Sequence, residues 1–443
     1  MSTGIIGGGP SGLSMAMFLR DECTVLEMQD HPGGRASTFE RDGFTFDHGP
    51  HIMFSRNKPV LEFMVASLGD NVHQCRRNNK ISFKSRLVKF PFENDLHSLP
   101  LEDNFECIRD YLFNPFRDRY PDPADLEQWL LAHFGRSICD KYLIPYNEKV
   151  WNVPVAQLSM LWADRIPLPD PQDVLKSSLG YETEGYLHQL YYHYPLHGGY
   201  QAISQAWSER VDDIVYDFTV QAVRRLSDGG WEVTDGREAR RFDRLVSTMP
   251  VHDLVRIVDL EVPNRVREAV DSLIVNPMYV VSLGVRGEDR DQFTAVYFPE
   301  ADFAVNRISY PRTFSPHNAP EGTHSIQAEI TCREDSDLWR ASEPEILEHV
   351  IEGLERRRLI SGRDSLVFTD VMRARHAYVV YDVGYEQRAE LVRSWFRDQG
   401  IELVGRFSYF EYVNVDGAVI RAMDVAGRMN GAPVELERLG VRP

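Results

Sequence analysis

Residues 3–30, TGIIGGGPSGLSMAMFLRDECTVLEMQD, read as a strand, a glycine turn, a helix and a second strand. The turn is Gly7-x-Gly9-x-x-Gly12, with Pro10 and Ser11 opening the helix. Gly7 permits the tight turn, Gly9 lets a pyrophosphate approach the backbone, and Gly12 lets the helix pack on the strand. The helix N-terminus then presents its partial positive charge to phosphates. The second strand, CTVLE, ends in Glu27, where a carboxylate can accept hydrogen bonds from a ribose diol. Glycines, helix and terminal acid in register specify a dinucleotide site, which an isolated glycine-rich turn would not.

Three later segments favour FAD over NAD. HPGGRAST places Gly33, Gly34 and Arg35 just after the second strand, a further point of close backbone approach. FDRLVSTMPVHDLV, residues 242–255, is a strand preceded by the hairpin-like WEVTDG, as in a second cofactor-domain segment. Near the C-terminus, YVNVDGAVIRAMDVAGRM is expected to put Asp416 at the N-cap of a small-residue helix aimed at the flavin's polar edge. The FAD domain is therefore expected from 1–65, 197–265 and 385–443. A mainly helical substrate domain is expected over 66–196, where Trp129 and Phe134 recur at helical spacing as core residues. β-Branched and aromatic runs such as MYVVSLGVRG and HSIQAEITC predict an antiparallel β-sheet domain over 266–384. The fold class is α/β: a Rossmann-like FAD-binding domain with an inserted helical domain and an antiparallel β-sheet domain.

The 443 residues are too many for one simple core. A net charge of −18 argues against nucleic acid and anionic membrane surfaces as partners. Five scattered cysteines with no C-x-x-C suit a reducing compartment and give no metal site. No basic, apolar leader precedes the first strand and no apolar run approaches membrane-spanning length, so a cytoplasmic protein is expected.

Several motifs, in order along nearly the whole chain, resemble the UDP-galactopyranose mutase family, closer to its eukaryotic-type branch. They are GGRASTFERDGFTFDHGPHIMFS, KFPFENDLHSLP, PYNEKVWNVP with LWADR, LVSTMPV, GVRG with VYFPE, and GRF followed by EYVNVD. The resemblance implies an isomerase that interconverts pyranose and furanose forms of a nucleoside-diphosphate sugar. In that reaction N5 of reduced FAD attacks the anomeric carbon, the diphosphate leaves and returns, and no net redox change occurs. NADPH is the candidate reductant, although no separate nicotinamide motif is visible. By resemblance, Arg165 and Arg307 bind the diphosphate, their forks suiting phosphate oxygens. Tyr297, Tyr378 and Tyr412 donate to the phosphates, Arg406 lies near flavin and sugar, and Tyr146 and Asn147 line the cleft.

Two departures bear on the substrate. Where the family has a Tyr-Pro-Phe-Gln-Asn run in its nucleoside pocket, this chain has Phe90-Pro91-Phe92-Glu93-Asn94. Ionised Glu93 only accepts hydrogen bonds, whereas glutamine also donates. A base offering two donors would suit that carboxylate better than uracil, so UDP-galactose or a related NDP-hexose stays open. In DGFTFDHGPHIMFSRN, residues 42–57, Pro50 replaces a family glycine between Gly49 and His51, which predicts a stiffer loop. His51, grouped with Arg165 and Arg307 at the reacting centre, reads as a flavin neighbour and not a general base. The alternative is an FAD-dependent oxidoreductase of the amine-oxidase or protoporphyrinogen-oxidase type, which shares the three-segment cofactor domain.

Overall fold

The computed structural model describes residues 1–184, 190–287 and 292–436. Five parallel strands form one sheet in the order Ile401–Leu403, Arg244–Ser247, Ser2–Ile6, Glu22–Leu26, Ile214–Val215. Its strands come from three separated stretches of chain, because each parallel neighbour needs a crossover. Helices Pro10–Phe18 and Val415–Asn430 pack together on this sheet. The opposite side meets an antiparallel meander, Ala222–Arg225, Trp231–Thr234 and Ala239–Phe242. The contact leaves no room for a side chain at Gly4, since a Cβ there would lie 2.5 Å from the Phe242 ring.

A seven-stranded sheet runs Leu366–Val379, Val275–Arg286, Thr323–Thr331, Arg307–Ser309, Ala295–Tyr297, Asn79–Phe83, Arg86–Lys89. All its pairs are antiparallel except Ala295–Tyr297 with Asn79–Phe83. The last two strands lie inside the stretch expected to be mainly helical, and there the expectation fails. Lys84 and Ser85, both at positive φ, close a two-residue hairpin without the usual Asn-Gly signal. The same stretch also holds the antiparallel pair His73–Arg76 with Tyr191–Tyr194; between these strands lie helices Leu101–Leu112, Leu126–Ile138, Ile144–Trp151 and Pro171–Ser178, and Trp129 and Phe134 are buried.

Strand Thr323–Thr331 shows how the sheet positions the site. Ile326, Ala328 and Ile330 enter an apolar core shared with Val350 and Leu354 of helix Glu343–Arg356. The alternate residues Gln327, Glu329 and Thr331 face the other way and are just as buried. That polar face is the floor of the candidate substrate cleft. No helix among the described residues is long and apolar enough to cross a membrane.

Candidate active site

The candidate cofactor cradle is made by two glycine turns facing each other. Gly33 N–H donates to Gly8 O at 3.0 Å, and a Cβ on Gly34 would lie 3.3 Å from Gly9 Cα. Gly7 has φ 101°, and a Cβ on Gly12 would fall 1.9 Å from Gly7 O. Bare backbone thus converges at the start of helix Pro10–Phe18, the arrangement a pyrophosphate needs. Ser11 Oγ lies 2.7 Å from where a Cβ on Gly405 would be, so the turn carrying Arg406 closes onto the same helix end.

Glu27 is buried, and its carboxylate already braces the turn. Gly8 N–H donates to Oε2 at 2.6 Å and Gln29 N–H to Oε1 at 2.8 Å. Burial raises its pKa, opposed by those backbone donors. Arg35 sits in the 3₁₀ turn Gly34–Ala36, where burial lowers its pKa. Asp416 is not the N-cap. Asn414 has the extended conformation and cap position, and Asp416 falls in the first turn of helix Val415–Asn430. The helix therefore begins two residues earlier than expected, with Asn414 at the cap position through its backbone alone. No side chain caps it, which leaves first-turn N–H groups for a ligand.

Between cradle and polar floor lies the Gly49-Pro50-His51 segment. Gly49 has φ 99°, and a Cβ there would lie 3.9 Å from Glu329 Oε1. His51 Nδ1 is 2.6 Å from Gly49 O, and its ring is 5.3 Å from that of Tyr200. A carbonyl only accepts, so Nδ1 carries the proton and Nε2 is bare. Burial, then the positive charge of Arg406, lowers the His51 pKa to about 4, so the ring is neutral at physiological pH.

One residue of this segment escaped the sequence reading. Asp47 is buried and accepts from Thr38 Oγ1 at 2.6 Å, Tyr194 OH at 2.8 Å and Tyr200 N–H at 2.9 Å, and from the His51 N–H. Burial pushes it up to about 6 against those donors. Its only sequence signal is an acid ending the strand Phe44–Asp47, which is buried along its whole length.

On the substrate side, Tyr297, Arg307 and Glu329 stand in register on three neighbouring strands. Arg307 Nε donates to the Glu329 carboxylate. Arg165 and Arg406 lie over the Tyr412 ring, at 5.0 and 4.8 Å from its centroid. Their guanidinium hydrogen bonds go to backbone carbonyls: Arg165 to Tyr412 O, Arg406 to Val413 O. Tyr378 stacks on Tyr412 at 5.8 Å, and Trp151 meets both rings edge-on. Burial raises the Tyr378 and Tyr146 pKa values, so both phenols stay protonated donors.

A row of aromatic rings runs on from there: Tyr297 contacts Tyr146 and Phe90, and Tyr146 stacks on Tyr142. Asn79 donates to Tyr297 OH at 3.0 Å. Asn79 and Phe90 then form part of a groove of about 400 Å³ whose described lining also includes Asn94, Lys80 and Lys89.

Three expected contacts are displaced. Phe92 is fully buried with its ring stacked on Tyr142, so it supports the row from behind. Glu93 is 2% exposed and outside the groove lining, and burial pushes its carboxyl up to about 7. Asn147 spends its amide within its own helix, donating to Leu143 O and accepting from Trp151 Nε1.

Comparison with known proteins agrees with this architecture. The family model described as flavin containing amine oxidoreductase matches residues 10–430. Coproporphyrinogen III oxidase of Bacillus subtilis (strain 168) is 22% identical over 436 residues, covering 88% of this chain and 89% of that protein. Phytoene desaturase (lycopene-forming) of Pantoea ananas is 44% identical over 75 residues, 16% of this chain and 15% of that one. Among solved structures, reduced UDP-galactopyranose mutase superposes with a TM-score of 0.89 at 24% identity, over 97% of this chain and 94% of that one. Putrescine oxidase bound to putrescine gives 0.68 at 18% identity, over 97% and 99%. The facing glycine turns fit a flavin dinucleotide, and the family model spans nearly the whole chain: the chain belongs to the flavin-containing amine oxidoreductase family, and its cofactor is FAD.

Proposed function

We propose that the protein interconverts pyranose and furanose forms of a nucleoside-diphosphate hexose while its flavin is reduced. The observation that carries this reading is the convergence of Arg165 and Arg406 on one tyrosine ring, beside Arg307. Arg165 and Arg406 are held by carbonyls, so their charge is free for a polyanion. A diphosphate supplies two anionic groups and needs planar donors as it departs and returns. Reduced FAD supplies the nucleophile in such chemistry. Arg165 and Arg406 neutralise the leaving diphosphate, Arg307, whose charge Glu329 already balances, adds guanidinium donors, and Tyr378 and Tyr412 donate to its oxygens. His51, neutral with Nε2 bare, is suited to accept a hydrogen bond beside the flavin and not to deliver a proton. The aromatic row from Tyr297 to Tyr142 excludes water from the sugar. The fold likeness to UDP-galactopyranose mutase supports the reading.

A second reading has its own support, the full-length likeness to coproporphyrinogen III oxidase. The arginines would then hold carboxylates of a porphyrinogen undergoing flavin-dependent oxidation. One experiment separates the two. The protein is reduced anaerobically and given UDP-galactofuranose, then GDP- and TDP-hexoses, with chromatography of products. Conversion only with reduced flavin supports the mutase. Oxygen uptake with a porphyrinogen or an amine, and no isomerisation, replaces it with the oxidase.

A further inference from the structure

We infer that Arg393 is a positioning residue that sets the turn carrying Arg406 and Tyr412, an inference that rests on the diphosphate reading of their site. Residues Arg406–Phe410 form one wide helical turn, closed by Glu411 N–H donating to Arg406 O at 2.9 Å. Wide turns of this kind are rare and recur at functional sites. Phe410 leaves the turn at φ 55°, a left-handed conformation that a bulky residue holds only where its surroundings impose it.

Arg393, on helix Tyr385–Asp398 and largely buried, imposes it. Its Nε donates to Tyr409 O at 2.7 Å and its Nη2 to Phe410 O at 3.0 Å, so one planar fork holds two successive carbonyls. Nη2 also donates to Tyr385 OH at 3.0 Å, and that hydroxyl donates to the same Phe410 carbonyl. The guanidinium lies 4.0 Å from the centroid of the Tyr409 ring. Arg421 of helix Val415–Asn430 lies over that ring too, at 4.2 Å, and donates to Glu411 Oε2 at 2.8 Å. Two residues beyond the clamped carbonyl, Tyr412 N–H donates to Tyr381 OH at 2.6 Å, and its carbonyl and ring receive Arg165. Arg406, at the other end of the turn, covers the same ring. Without the fork Phe410 relaxes toward an ordinary φ and carries Tyr412 away from both guanidiniums. A misplacement of about 1 Å is enough to cost a large part of such a contact. Lysine at 393 keeps the charge, but a point donor cannot bridge two carbonyls and stack on a ring.

The test is binding, read apart from turnover. The FAD-loaded full chain is titrated calorimetrically with UDP, GDP and TDP, and the tightest of the three is carried through the variants. Arg393→Met and the milder Arg393→Lys should each weaken that affinity at least ~10-fold, with flavin content unchanged. In an Arg406→Ala background, Arg393→Lys should cost no more than ~2-fold further, because a group it positions is gone. An Arg393→Lys variant that binds as tightly as wild type overturns the inference and leaves the reading of the site intact. So does a loss that repeats in full in the Arg406→Ala background, which would make Arg393 a structural residue only. A wild type that binds none of the three diphosphates removes the reading of the site, and this inference with it.

Discussion

Arg307 donates through Nε to Glu329, its direct cross-strand neighbour, and Glu329 is 1% exposed. The pair ties the proposed diphosphate site to the Gly49-Pro50-His51 segment, because the same carboxylate approaches Gly49. Arg307→Ala would strand a buried carboxylate, a change that costs about 3 kcal/mol when a buried pair is broken on one side. Arg165 is exposed and contributes only its contacts with Tyr412. We therefore expect both variants to lose turnover ~100-fold or more, but only Arg307→Ala to melt several degrees lower. Arg307→Ala/Glu329→Gln should regain most of that stability without regaining activity. Calorimetry beside the anaerobic assay checks the split, and equal melting temperatures for the two single variants would refute it.

Asp47 gathers four donors from three parts of the chain, and Asn cannot accept from all of them without turning its NH₂ toward a donor. Asp47→Asn should release the 48–51 loop and weaken FAD binding by at least ~10-fold, about 1.4 kcal/mol. Fluorescence titration of the stripped protein with FAD measures this. Asp47→Asn binding FAD as tightly as wild type would remove Asp47 from any role in the cofactor site.

The parts of the fold legible in the sequence were those with one local cause. The turn Gly7–Gly12 has geometry only glycine allows, and Trp129 and Phe134 followed a helical period into the core. Illegible features needed a partner distant in sequence. Gln327 and Glu329 alternate with Ile326 and Ile330 as on a strand facing water, yet they are buried, because the 47–51 segment covers that face. Asn147 and Phe92 sit in the expected motifs, but their groups are taken up by Trp151 and Tyr142. Asp47 carries little local signal, since its donors Tyr194 and Tyr200 lie about 150 residues further on.

Glu93 makes stability pH-dependent. Burial pushes its carboxyl from 4.5 up to about 7, so between those values the folded chain holds a proton that the unfolded chain has released. Its contribution is complete below pH 4.5 and is lost as pH rises through 7. Glu93→Gln should remove that slope and be more stable than wild type at pH 8, by about 2–3 kcal/mol at most. Denaturant melts of wild type and Glu93→Gln from pH 5 to pH 8.5 check this, and parallel stability curves for the two would refute it.

Lys149 gives the opposite slope. Its Nζ donates to Phe298 O and Glu300 O, each at 2.7 Å, and so fastens the helix bearing Tyr146 to the turn beyond Tyr297. Burial lowers its pKa from 10.5 to about 7, with nearby Glu300 opposing the shift. Between those values the unfolded chain holds the proton that the folded chain has released, so this group's share of stability grows as pH rises from 7 toward 10.5. Lys149→Met cannot donate and leaves two carbonyls without their partner, at about 1–3 kcal/mol. The gap in unfolding free energy between wild type and Lys149→Met should therefore be wider at pH 9 than at pH 7. A gap that narrows with pH would mean that the ammonium, and not the neutral amine, is the form the joint favours.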